Sequence, residues 1–409
     1  MLSGKTVCVA ILAGALASSV PAAQKEVPVP ARQWKALMDA ATKAEKLGNL
    51  GEAEKNLLGA LQQADTENRN DQRLVQTLFR LGDVYEKEGK YEPAEPVYLR
   101  ALQIWERTLG PNNLIVAKGY TKLADLYSAE KKSIKAEQTY QHSLAILEKM
   151  GDPNDLAVTP DLNGLAEIYR AQGKYDDAER LYRRALSIRQ DTLGPEHPVV
   201  AQSLNNLASL YEAQGKHAEA EGLYLQALSM VEKAMGKSAP YSTPILNNLA
   251  DLYYTTRQYA RAEPLLLRSL AITEKAAGPN HPDVAQVLNS LGLVYDAEGK
   301  RAQAEVTYRR AMRIWEKALG LNDPNLASVL NNLAALYYAE GKYSQADVLY
   351  KRAMEIVEKG EGPNSIEAAQ CLENYAALMR KTNRGQEADK MVARAKQIRA
   401  DLAKTSGSK

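Results

Sequence analysis

The feature that most constrains this chain is a period. Segments beginning at Leu78, Tyr120, Leu162, Leu204, Leu246, Leu288, Leu330 and Leu372 follow one another at intervals of 42 residues, and a more degenerate unit begins near Leu37. Self-similarity at a fixed spacing of this size marks a chain that repeats one supersecondary unit and buries its apolar faces by stacking the copies. Each opening residue is numbered here as repeat position 4. The unit from Leu204 to Gly236 then has apolar residues at positions 7, 8 and 11, and again at 20, 24, 27 and 28. Both sets follow the i, i+3, i+4, i+7 spacing of one helix face, and position 15 between them is Gly89, Gly173, Gly215, Gly299 or Gly341. Each unit is expected to be a helical hairpin.

Small residues set how closely the two helices of a hairpin meet. Position 8 is Gly82, Ala124, Ala166, Ala208, Ala250, Gly292, Ala334 and Ala376, and position 20 is Ala94, Ala136, Ala178, Ala220, Ala262, Ala304, Ala346 and Ala388. A larger side chain there would overpack the interface. Tyrosine recurs at position 11 (from Tyr85 to Tyr337), position 17 (Tyr91, Tyr175, Tyr259, Tyr343) and position 24 (from Tyr98 to Tyr350). These three positions absorb 17 of the 22 Tyr in a chain with a single Phe. The aromatic excess is thus expected to be core, and no cofactor is implied by it.

Leu, Leu, Ala, Tyr, Gly, Ala, Tyr and Ala at positions 4, 7, 8, 11, 15, 20, 24 and 27 resemble the tetratricopeptide repeat. The 42-residue length, the Leu-Asn-Asn-Leu-Ala opening and the Leu193-Gly-Pro-Glu-His-Pro198 linker are similar to the kinesin light chain type. The resemblance implies an all-α fold, a right-handed α-solenoid of stacked helical hairpins, running over residues 37–404 in about nine units with degenerate ends. Where the shorter repeat has Pro at position 32, this chain has Glu106, Glu148, Glu232, Glu274, Glu316 and Glu358, so the second helix should run on to the Gly near position 36. Pro96 and Pro264, at position 22, are expected within the first turn of the second helix, where a missing N–H is tolerated.

Ahead of the repeats, Met1–Ala23 has an early cation, Lys5, a largely apolar stretch from Val7 to Ala17, and then small residues. This is the pattern of a secretory signal peptide cleaved after Ala22 or Ala23. Its apolar stretch is shorter than the roughly 20 residues a membrane-spanning helix needs. The expected organisation is a signal over 1–22, a linker over 23–36, the solenoid, and a tail over 405–409. The mature chain would be exported, to the periplasm or beyond, without an integral span. Cys371 would then be its only thiol, so no intramolecular disulfide is available.

By the resemblance, the concave face of such a solenoid is lined by first-helix positions 2, 5, 6, 9, 12 and 13. Position 5 gives Asn163, Asn205, Asn247, Asn289 and Asn331; position 6 gives Asn206, Asn248, Asn332 and Asn374. Asparagine donates and accepts, so a ladder of it suits the backbone of an extended peptide. The resemblance implies that role for position 6; at position 5 the residues serve binding, or else join neighbouring repeats or bond their own helix. Tyr254 and Tyr338, at position 12, are expected beside the ladder as aromatic anchors. Groove charge is mixed, with Arg80, Lys118 and Lys122 at one end and Asp83, Asp125, Glu167, Glu212, Asp251 and Asp296 along the rest.

Other chemistry finds little support. A net charge of +2 is too small to drive nucleic-acid binding without segregation, and no basic block exists. His197 and His281 recur at equivalent linker places, as repeat grammar, and no metal-ligand spacing accompanies them. No phosphate loop or serine elbow is present. The sequence therefore reads as a non-enzymatic scaffold for a protein or peptide partner, with a structural subunit that self-associates or joins a cell-envelope complex as the alternative. Stability should come from neighbour contacts. Deleting whole 42-residue units should lower the melting temperature in steps with the helix content of the remaining units intact, as followed by circular dichroism. Loss of all helix on removing one interior unit would reject this.

Overall fold

The computed structural model describes residues 29–67, 72–151, 153–360 and 362–407. The expected signal peptide lies outside these. The described residues contain α-helix, two short 3₁₀ turns and no strand. They divide into two compact units, one ending at Gly215 and the other beginning at Lys216, with the division in the turn of the repeat that opens at Leu204.

In the first unit the helices are α1 (Val29–Lys46), α2 (Leu50–Glu67), α3 (Gln72–Lys87), α4 (Tyr91–Leu109), α5 (Leu114–Ala129), α6 (Ser133–Met150), α7 (Thr159–Ala171), α8 (Tyr175–Leu193) and α9 (Pro198–Ala213). In the second they are α10 (His217–Met235), α11 (Thr243–Thr255), α12 (Tyr259–Ala277), α13 (Pro282–Ala297), α14 (Arg301–Leu319), α15 (Pro324–Ala339), α16 (Tyr343–Gly360), α17 (Ile366–Lys381) and α18 (Gly385–Gly407). Within each unit every helix packs on the next in sequence, and first helices also touch across repeats, as α5 does α7 and α15 does α17. The expected all-α stack of hairpins is the fold of each unit. Helix α1 starts at Val29, inside the stretch expected to be linker, and Trp34 Nε1 donates to Thr77 Oγ1 on α3 at 2.9 Å.

Each turn is made the same way. Position 15 takes a left-handed backbone, which ends the first helix, as at Gly173 with φ 75°. The next amide reaches back into the helix, Lys174 N–H to Tyr169 O at 2.9 Å. In three units a non-glycine residue accepts the same conformation: Lys131 (φ 61°), Arg257 (φ 59°) and Asn383 (φ 59°). Second helices start at position 17, so Pro96 and Pro264 are the sixth residues of α4 and α12, in the second turn and not the first. Both helices continue through them, carried by packing; Ala94, Tyr98 and Ala101 of α4 are all fully buried. The second helices do run on to a glycine at position 36, as at Gly110, Gly194 and Gly278. The linker histidines cap the following helix: His197 Nδ1 accepts from Val199 N–H and His281 Nδ1 from Asp283 N–H, both at 3.2 Å. Asn113, Asp155 and Asp323 do the same at equivalent places.

The core alternates small residues with tyrosine. All position-20 alanines are fully buried, and the position-24 tyrosines Tyr98, Tyr224 and Tyr308 are fully enclosed. At position 8 the space is taken by that ring: a Cβ on Gly82 would fall 2.5 Å from the ring of Tyr98. Position-17 tyrosines are only half-buried. Cys371 is buried, and burial with the nearby Glu367 pushes its thiol up to about 11. Asp161, at the start of α7, is fully buried; one carboxylate oxygen accepts from Thr121 Oγ1 at 2.7 Å and the other has no partner.

Two measurements test these packing rules. Arg257→Gly relieves a left-handed arginine and should stabilise the fold by about 0.5–1 kcal/mol in chemical denaturation. Burial raises the Asp161 carboxyl from its ordinary value to about 7. The folded chain therefore holds a proton that the unfolded chain has released. Its contribution is present below about pH 4 and is lost as pH rises through 7, with a slope of up to about 1.4 kcal/mol per pH unit. Asp161→Asn should remove that slope from the pH dependence of unfolding.

Candidate functional site

The first helices present positions 5, 6, 9 and 12 on one face, and side-chain ladders organise it. In the second unit, Asn332 Nδ2 donates to Asn289 Oδ1 at 3.0 Å and Asn374 Nδ2 to Asn331 Oδ1 at 3.1 Å. A position-6 asparagine thus reaches back to the position-5 asparagine of the preceding repeat. Asn289 is itself buried, 1% exposed, so it supports Asn332 from beneath. Asn247, Asn248, Asn331, Asn332 and Asn374 are half-buried, as are Asn163, Asn205 and Asn206 in the first unit. The ladder is broken at Ser290, which takes position 6 in place of an asparagine, and Asn247 Oδ1 is buried without a partner; Asn163 Oδ1 is likewise unpaired.

A second ladder joins the two helices of one repeat. In the first unit Tyr98 donates to Asp83 at 2.8 Å, Tyr140 to Asp125 at 2.5 Å and Tyr182 to Glu167 at 2.8 Å, each a position-24 hydroxyl to a position-9 carboxylate. Several groove acids therefore have a structural acceptor role. Arg80 pairs with Glu45, and Lys122 lies 3.7 Å from Asp83. Tyr254 and Tyr338, both half-buried, lie 5.6 and 6.0 Å from Tyr259 and Tyr343, ring centre to ring centre.

Two further ladders tie each repeat to the one before it, and the sequence reading did not single them out. Position-11 hydroxyls donate to the position-21 acid of the preceding repeat: Tyr127 to Glu95 (2.8 Å), Tyr169 to Glu137 (3.0 Å), Tyr253 to Glu221 (3.0 Å) and Tyr337 to Glu305 (2.7 Å). The position-32 glutamates accept from an arginine at position 26 of the next repeat: Glu148 from Arg184, Glu232 from Arg268, Glu274 from Arg310, and Glu316 from Arg352. Arg184 and Arg310 also donate to linker carbonyls, of Pro153 and Pro279. The recurrence of acid at position 21 and Arg at position 26 was the available signal. Among the described residues no group of three or more His, Cys, Asp or Glu side chains could hold a metal ion, and no helix is long and apolar enough to cross a membrane.

A family model of the tetratricopeptide repeat matches residues 74–149, 159–233, 242–317, 297–359 and 325–401. The chain belongs to the tetratricopeptide repeat family. No curated protein matches it. Similar solved structures include BtubC (BKLC) from P. vanneervenii, 27% identical over 57% of this chain and 92% of the other, TM-score 0.49. A kinesin light chain-like repeat protein from Podosopora anserina is 27% identical over 49% and 94%, TM-score 0.43. A Rap protein complexed with competence and sporulation factor is 18% identical over 91% and 99%, TM-score 0.59. The last likeness is one of fold. Repeats of this family are in general scaffolds for protein partners, and that is the class to which this chain is assigned.

The asparagine pairs make a stability prediction. Asn332→Ala leaves Asn289 Oδ1 buried without its donor and should cost about 1–3 kcal/mol in thermal or denaturant unfolding. Asn206→Ala should be close to neutral, because the position-5 oxygen it would cover, Asn163 Oδ1, takes no bond from it.

Proposed function

We propose that this chain is an exported, non-enzymatic scaffold that binds an extended segment of another protein along its asparagine-bearing first-helix face. The observation that carries this reading is the geometry of Asn332. It is half-buried and held by one amide hydrogen bond to the repeat before it, which leaves its own carbonyl oxygen available on a pre-set side chain; Asn374 is held in the same way, but its oxygen accepts from Gln370 Nε2 at 3.2 Å. A partner's backbone N–H meeting such an acceptor costs little side-chain entropy, because the rotamer is already fixed. Tyr254 and Tyr338 flank the face as apolar surfaces with a polar tip. Asn163, Asn205, Asn206, Asn247, Asn248 and Asn331 extend the same polar surface within their own units. Export rests on the tripartite pattern of Met1–Ala23.

The test is a quantitative pull-down from envelope extract with the wild-type mature chain and the variant Asn206→Ala, Asn248→Ala, Asn332→Ala, whose helix content is checked first. Partners lost selectively from the variant support the groove; identical partners on both reject it. A second reading, an assembly subunit, is favoured by the exposed valines Val306 and Val348 at position 22 of adjacent second helices, 67% and 64% exposed. On that reading the groove variant is silent, and Val306→Lys with Val348→Lys changes the oligomeric state in light scattering.

A further inference from the structure

In the second unit the tyrosine–acid ladder does not recur, since position 9 is Leu293, Ala335 and Ala377 in the last three repeats, and the asparagine ladder is interrupted at Ser290. The repeat opening at Leu246 has the position-9 carboxylate, Asp251, but Leu266 stands at position 24 where the tyrosine donor would be. The next repeat has the tyrosine, Tyr308, but Leu293 replaces its acid. Tyr308 is fully buried and its hydroxyl has no partner. In the same interval Ser290 replaces the asparagine that would cover Asn247, whose Oδ1 is buried and unpaired. Asn247, Asp251, Tyr254, Leu266, Ser290 and Leu293 line a small hollow there, open on one side and with room for one water-sized group. No Lys or Arg among the described residues offsets Asp251, and burial pushes its carboxyl above the ordinary range.

The charged group at the hollow is the Asp251 carboxylate, which meets no tyrosine of its own repeat; the Ser290 hydroxyl and the Tyr254 ring lie beside it, and the acid Asp296 adds negative charge near Tyr254. Elsewhere in this fold the same acid is satisfied by an internal hydroxyl, so the missing donor is expected from outside. A group with several N–H donors, a positive charge and the size of a water molecule is a primary ammonium; a guanidinium is too large for the space. We propose that the hollow at Asp251 is a subsite for a primary ammonium, supplied by a lysine side chain or an amino terminus of the bound segment. The ammonium donates to Asp251, and its alkyl stem lies against Tyr254 and Leu293, with the Asn247 side chain in the wall of the hollow. This deepens the groove reading and rests on it for the identity of the ligand as part of a protein.

The full chain labelled with ¹⁵N-asparagine provides the test, with the Asn247 side-chain amide assigned by its absence in Asn247→Ala. Titration with n-butylammonium should shift that amide saturably, and n-butanol should not. Asp251→Asn should weaken the affinity about tenfold or more, the size expected for loss of a charge-assisted bond. Leu266→Tyr supplies the missing internal donor and fills the hollow; it should abolish the response while the chain stays folded by circular dichroism. An equal response to n-butanol, an undiminished affinity in Asp251→Asn, or no saturable shift overturns the proposal. N-acetylated Gly-Ser-Lys-Ser-Gly amide and unacetylated Gly-Ser-Ser-Gly amide then separate the sources: tighter binding of the first assigns lysine, of the second an amino terminus. These probes need no protein partner, so the subsite can fail while the pull-down supports the groove, and the reverse.

Discussion

A single helical hairpin of this sequence cannot cover its own apolar faces, and the whole structure depends on the interface between one hairpin and the next. Its positions 4, 7 and 11 on one helix and 20, 24 and 27 on the other leave apolar surface on both sides of the pair, so only a following copy removes it from water. That requirement explains why the cross-repeat contacts are identical in kind from unit to unit. Tyr127 to Glu95 and Tyr337 to Glu305 are the same bond made in different repeats. The position-11 ring is buried and its hydroxyl emerges at the edge, where the acid of the preceding second helix waits. Arg184 on Glu148 and Arg352 on Glu316 close the other edge of the interface. As partly exposed ion pairs these add little energy, about 0–1 kcal/mol each, but they fix the angle at which one hairpin meets the next.

Repetition also makes departures readable. In a unique globular core an unpaired hydroxyl is one irregularity among many. Here Tyr98, Tyr140 and Tyr182 state what a position-24 hydroxyl does, and Tyr308 does not do it. Asn289 and Asn331 state what a position-5 amide oxygen does, and Asn247 does not, nor does Asn163 in the first unit. The substitutions beside Asn247, Leu266, Ser290 and Leu293, face one space. The Asp251 carboxylate there has no tyrosine of its own repeat to accept from, and a partly buried carboxylate in that condition is costly unless a cation is supplied.

Much of the fold was legible beforehand. The period, the hairpin, the left-handed turn at position 15, the small residues at positions 8 and 20 and the tyrosine core all follow from apolar spacing and side-chain size. The chain's place in the tetratricopeptide repeat family was legible in the same residues. The boundary details were less so: Pro96 and Pro264 lie a turn deeper in their helices than expected, because the left-handed turn residue, Gly89 or Arg257, is separated from the second helix by a single residue. The candidate site was legible only as a set of asparagines at recurring positions. That Asn289 lies buried under Asn332 could not be read from spacing, since positions 5 and 6 are adjacent in sequence and differ only in which neighbouring helix covers them.

The sequence by itself determined the architecture, because a 42-residue period of apolar positions has one economical way to be buried and each copy votes for it independently. Only the tertiary structure decided which polar side chains are spent on joining repeats and which remain for a partner. Glu95, Asp83 and Asp251 are all acids on amphipathic helices, indistinguishable by local pattern. One accepts from a tyrosine of the next repeat, one from a tyrosine of its own repeat, and one faces Leu266 and a hollow. The difference lies in residues on helices packed against them, and a hydrogen bond is settled by a few tenths of an ångström across such a contact.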